Sequence, residues 1–202
     1  MVPRRRASWR RAVRHPAAAP VIGLALALGV LAAARPRFPD RPPPAHTGGF
    51  GEPTCQECHF EGEPNEPGGT LTLAGVPEAY RPGERYRITI TLARSGMRRG
   101  GFELAARHAS GPLEGRQAGE LRPVDARAAV TPYGTPAVTY VHHTAAGTAL
   151  ETPGTARWTI EWTAPTTGGP VIFHVAANAA DDDESPFGDF IYTTSARSAR
   201  EE

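Results

Sequence analysis

Cys55 and Cys58 stand three positions apart, and His59 follows at once, in the order Cys55-Gln56-Glu57-Cys58-His59. Two thiols at this spacing can add to the two vinyl groups along one edge of a porphyrin. The adjacent imidazole can then ligate the iron beneath the ring. C-x-x-C-H is the attachment pattern of c-type haem. The residues therefore predict one covalent haem c on Cys55 and Cys58, with His59 as the proximal iron ligand. Three other chemistries use the same side chains. A redox dithiol usually sits at a helix start beside a strand, and no such pattern surrounds Cys55. A closed zinc site wants four ligands, and the chain has only these two cysteines. A plain disulfide needs only an oxidising compartment.

A sixth iron ligand would come from elsewhere. Beyond His59 the candidates are His46, His108, His142, His143, His174 and Met97. His142 and His143 are neighbours in an apolar run, so on a strand they point to opposite faces. His143 is the first choice as distal ligand. Met97, which reads as an exposed loop residue in Ser95-Gly96-Met97-Arg98-Arg99, is the second. An open or water-bound position is the third. His108 reads as a surface residue just past a strand, and His174 as one face of a strand.

The site needs elements to carry it. Residues 1–34 hold six arginines and no acid, and end in an apolar run from Val21 to Ala34. That order predicts a cleaved secretion signal, with Ala32-Ala33-Ala34 as a cleavage site, or a retained membrane anchor. The rest would then be extracytoplasmic, in the periplasm or at the outer face of the membrane, where c-type haem is attached. All 22 basic residues are arginine. After residue 34 the chain carries 16 of them against 21 acids, a net −5. Such a domain repels polyanions, so nucleic acid is not an expected partner.

Residues 35–53, rich in proline, read as an extended spacer. Residues 54–69 read as the haem-attachment segment, and the acids surrounding the motif are Glu52, Glu57, Glu61, Glu63 and Glu66. Acids beside a haem favour ferric iron and steer a basic partner. From residue 70 to 195 apolar and polar residues alternate. Tyr86, Ile88, Ile90 and Leu92 form one set; Phe102, Leu104 and Ala106 another; Trp158, Ile160 and Trp162 a third. Period two means half-buried strands. Further strands are expected over 138–144, 171–176 and 187–194, separated by Gly/Pro turns. The pattern predicts an all-β sandwich, with residues 196–202 as a tail. The acidic run 181–184 reads as a solvated loop.

Several pieces carry a resemblance in their order: Tyr80-Arg-Pro-Gly83, Gly101-Phe-Glu-Leu104, Tyr140-Val-His-His-Thr144, Trp158-Thr-Ile-Glu-Trp162 and Gly188-Asp-Phe-Ile-Tyr-Thr193. With these, residues 70–194 resemble the reelin-type (reeler-like) domain of exported bacterial proteins. Members of that group often carry a C-x-x-C-H segment just ahead of the β domain. The resemblance implies an immunoglobulin-like β-sandwich, and His143 before Thr144 looks similar to a recurring feature of the group. Animal reeler domains have disulfides, whereas this β domain has no cysteine.

The leading expectation is a monohaem c-type, cytochrome-like protein. It would transfer single electrons to or from a redox partner with a basic docking surface. The alternative is a haem-bearing binding or sensor module whose sandwich recognises a surface or partner. No enzyme is expected. A haem peroxidase would need an open iron position and an acid–base group, and nothing in the sequence selects His142 or His143 for that task.

Overall fold

The computed structural model describes residues 41–60 and 62–202. The expected signal or anchor (1–34), the first part of the expected spacer (35–40) and Glu61 lie outside the described residues. Among the described residues no helix is long and apolar enough to cross a membrane.

Ten strands follow one another: β1 (Gly69–Ala74), β2 (Ala79–Tyr80), β3 (Arg85–Arg94), β4 (Arg99–His108), β5 (Glu120–Pro123), β6 (Ala128–Tyr133), β7 (Val138–His143), β8 (Thr155–Thr163), β9 (Val171–Ala180) and β10 (Phe190–Arg200). They build a four-stranded sheet, β1-β3-β8-β5, and a six-stranded sheet, β2-β10-β9-β4-β7-β6. The pairings are antiparallel apart from β2 with β10. The expected all-β, immunoglobulin-like sandwich is the observed architecture.

The alternation explains the two layers. Ile88, Ile90 and Leu92 on β3 and Trp158, Ile160 and Trp162 on β8 all point inward. They meet Phe102 and Leu104 on β4 and Phe173 and Val175 on β9. Ile88 pairs with Ile160 and Ile90 with Trp158, so a one-residue slip would turn this whole set to solvent. Phe102 packs on Trp158 at 4.5 Å, and Trp162 meets Phe173 edge-on at 4.9 Å. Each buried indole N–H has a carbonyl partner at 2.9 Å, Gly147 for Trp158 and Ala118 for Trp162. Burying a tryptophan this deeply requires such a partner.

Three expectations change. Met97 is not an exposed loop residue: it is 5% exposed and belongs to the core. The turn after β3 folds back, with the Met97 N–H donating to the Arg94 carbonyl at 3.4 Å. Its thioether therefore sits between the sheets. Met97→Leu keeps the volume and is expected to cost less than about 1.5 kcal/mol in urea unfolding, with an unaltered optical spectrum. A lost absorption feature would show that Met97 reaches iron after all.

The domain also runs past residue 195. Residues up to 200 continue β10, with Ser198 opposite Val171 and Arg200 beside Tyr80. His108, expected at the surface, is buried at the end of β4, because the loop around Gly168 and Gly169 lies against its ring.

Candidate functional site

Core-facing residues alternate with residues on the outer face of the six-stranded sheet. On β4 these outer residues are Gly101, Glu103, Ala105 and Arg107; on β9 they include His174, Ala176 and Asn178. His142 lies opposite Glu103 and shares that face. An antiparallel sheet often leaves one face to water. Here residues 41–60 lie across it as a strap, so residues 41–53 are not the extended spacer their composition predicts.

Single side chains fasten the strap. The His46 N–H donates to Glu103 Oε2 at 2.5 Å. Glu52 pairs with Arg107 and accepts from the Tyr140 hydroxyl at 2.5 Å. Ala45 packs on Ala105, Val138 and Tyr140. Phe50 meets the His174 ring edge-on at 5.5 Å. Gly49 passes so close to that ring that any side chain there would collide with it. Under the strap Glu103 is 0% exposed, and burial pushes its carboxyl up to about 8, against a smaller lowering by the His46 N–H.

The strap ends in a single 3-10 turn, Cys55–Glu57, capped by the Thr54 hydroxyl, which accepts from the Gln56 N–H at 3.2 Å. The N–H groups of Cys58 and His59 both point to the Cys55 carbonyl, at 3.2 and 3.0 Å. One turn of this kind spans residues three apart, so Cys55 and Cys58 stand at its two ends. His46 Nε2 lies 2.6 Å from Glu57 Oε2 and ties the turn back to the strap. Burial, with Glu103 next in effect, pushes the Cys55 thiol up to about 12. Cys58 is exposed.

His59 reaches down to the sheet. Its Nδ1 lies 2.5 Å from Asp189 Oδ2, and Asp189 is 3% exposed. Asn178 Nδ2 donates to the same carboxylate oxygen at 3.2 Å. That amide is 3.2 Å from Nδ1 of the ring and 3.3 Å from Nε2. With Nδ1–H directed at Asp189, the ring nitrogen left to accept from the Asn178 amide is Nε2, and an iron bound at Nε2 would replace that contact. Beside the motif Phe60 and Phe187, both substantially exposed, meet edge-on at 5.3 Å.

A covalently attached haem is a chemistry these residues could serve. A redox dithiol or a thiolate metal ligand calls for a lowered thiol pKa, and Cys55 has a raised one. Addition of a thiol to a vinyl group leaves a neutral thioether, which suits a half-buried position. Among the described residues no group of three or more His, Cys, Asp or Glu is arranged to hold a bare metal ion. His59 offers Nε2 with a carboxylate on its other nitrogen, the usual arrangement of a metal-bound imidazole.

The two proposed distal ligands part company. Met97 is in the core, away from the outer face. His143 is 8% exposed, with Nδ1 3.1 Å from the Phe102 nitrogen. Its ring occupies the space beside Gly101, where a Cβ would sit 3.0 Å from Cε1. Gly101 is the register partner of Asn178, which touches His59. His143 thus stands two strands from β9, about 10 Å across the sheet. Both His142 and His143 are buried, not one facing in and one out to solvent, because the outer face is covered too. Asp189, Asn178 and Glu103 carry no motif; each is recognisable only once the strap is in place.

No protein-family model matches the chain, and no curated protein does. Solved structures are similar to it in fold. The human F-spondin reeler domain is 22% identical, with 69% of this chain and 93% of that one covered and a TM-score of 0.45. The Reelin-N domain of F-spondin is also 22% identical, with 73% and 97% covered and a TM-score of 0.45. A cohesin module from a Clostridium perfringens family 33 glycoside hydrolase is 10% identical, with 67% and 96% covered and a TM-score of 0.42. The sandwich itself rests on the strand pairing described above.

Proposed function

We propose that the chain is an exported, haem-bearing β-sandwich module. One haem c is joined to Cys55 and Cys58, and His59 holds the iron. The sandwich is the recognition scaffold, and the iron senses a diatomic gas or redox state. The observation that carries this reading is the seating of the motif: a single turn holds Cys55 and Cys58 at its ends, and His59 lies on Asp189. When bound, haem supplies an iron that changes oxidation state and takes an axial ligand. The chain's own part is to anchor the ring's edge through the turn, fix the imidazole, and keep the strap on β4 and β9.

Two placements favour sensing over simple electron carriage. Met97 is committed to the core, and His143 stands on β7, two strands from β9, where Asn178 meets His59. Electron transfer is the second reading. It is supported by the exposed acids Glu57, Glu63, Asp182 and Asp183, which would steer a basic redox partner. No enzymatic activity is proposed, and the acidic balance still argues against nucleic acid. Export and any membrane attachment rest on residues 1–34.

The test is optical. The mature protein, made in a host that attaches haem c, is expected to keep its haem through acid–acetone extraction. As a sensor, its dithionite-reduced form binds carbon monoxide at once, and His143→Ala leaves the spin state unchanged. A low-spin ferrous protein that resists carbon monoxide, and becomes high-spin in His143→Ala, would favour electron transfer instead. A colourless protein with two free thiols overturns both readings.

A further inference from the structure

Resting on the haem reading above, we infer that Asp189 is a positioning residue that orients His59 and lowers the reduction potential of its iron. The geometry is specific. Asp189 stands one residue ahead of β10, whose first residue, Phe190, pairs with Ala179 on β9. Asn178, beside Ala179, donates to Asp189 Oδ2, the same oxygen that meets His59 Nδ1. The carboxylate is therefore held by the sheet and does not swing with the loop before it. Its other oxygen, Oδ1, is buried without a hydrogen-bond partner among the described residues, and so is Oδ1 of Asn178. A carboxylate desolvated on one side interacts more strongly on the other.

The consequence follows from the two ring nitrogens. A hydrogen bond from Nδ1–H to a carboxylate fixes the tautomer and turns the Nε2 lone pair toward the metal. Partial transfer of that proton's charge makes the imidazole a stronger donor. A stronger donor stabilises ferric over ferrous iron, and hydrogen bonding around the ligand is one of the protein's levers on haem potential. Asp182, Asp183 and Glu184 are exposed, and water and salt screen them. Asp189 is buried and in contact, so it outweighs them.

The experiment uses the mature haem protein and its Asp189→Asn variant. Covalent haem is read from the pyridine haemochrome, the potential by spectroelectrochemistry, and the ferrous iron–imidazole stretch by resonance Raman. Asp189→Asn is expected to retain haem and to raise the ferrous-to-ferric ratio at fixed potential at least tenfold, about 59 mV for one electron. The stretch should move to lower frequency. Asn178→Ala, which removes one donor from the carboxylate and so strengthens its pull on Nδ1–H, should shift both readouts the opposite way by less, and it decides the matter if Asp189→Asn does not mature. Asp189→Glu should recover part of the change. Haem in place with both readouts unmoved would overturn this role and leave the haem reading standing. A wild-type protein without haem would remove both.

Discussion

Replacing Cys55 and Cys58 together with alanine is expected to give a folded protein that has lost all covalent haem. The structure separates the two properties. Neither cysteine belongs to the core between the sheets. Cys58 is exposed and Cys55 only half-buried. The strap beneath them is fastened by His46, Glu52, Phe50 and Ala45, none of which uses a thiol. Cys58 is a surface position, where substitutions usually stay within about 0.5 kcal/mol, and alanine at the half-buried Cys55 removes one sulfur outside the core, so the urea midpoint and far-ultraviolet circular dichroism should move little. Haem staining on a denaturing gel should drop to background. Each single variant keeps one link and should retain a stain with a shifted haemochrome band. Persistent staining in the double variant would place the attachment elsewhere. A wild type that never stains would leave the motif to a disulfide or an inert pair.

The sandwich was readable where side chains alternate over a full strand. Tyr86–Leu92 and Trp158–Trp162 have one face in the core and one outside, and their period is a local property. Leu71 and Leu73 of β1 alternate with threonines in the same way, but over only six residues. Residues 79–80 are too few to show any period, and Pro132 breaks the pattern of β6, which a sheet tolerates because β6 is an edge. The C-x-x-C-H turn was readable because its five residues act together. Its seat was not. The strap is Pro- and Gly-rich, and its fastenings join residues 57 apart for His46 with Glu103 and 88 apart for Tyr140 with Glu52. Alternation marks Glu103 and His142 as lying on the face away from the core, but it does not say what covers that face. Asp189 follows a run of exposed acids and looks like one more, until Asn178 and His59, 119 residues apart, converge on it.

Raising the pH from about 4.5 to 8 is expected to weaken the folded state through Glu103. Burial raises this carboxyl from 4.5 in the unfolded chain to about 8 in the folded one. Between those values the folded protein holds a proton that the unfolded chain has released. Stability is therefore fully present below 4.5 and is lost as pH rises through 8. At 1.36 kcal/mol per unit the full span is on the order of 5 kcal/mol. Other groups act in the opposite sense. Burial lowers His108, His142 and His174, so the unfolded chain binds more protons there, and stability rises with pH toward their ordinary value of 6.5. The wild-type curve alone would blend these effects. Glu103→Gln isolates the carboxyl, because glutamine keeps an oxygen for the His46 N–H and cannot ionise. Urea midpoints of the two proteins should nearly coincide at pH 4.5 and diverge by roughly 1.4 kcal/mol per pH unit toward pH 8, with the glutamine variant the more stable. Parallel curves across that range would mean that Glu103 is ionised and compensated in the folded protein. The strap would then be fastened to β4 by a charge, whereas an uncharged carboxyl under His46 lets the strap lie on the sheet without burying an uncompensated one.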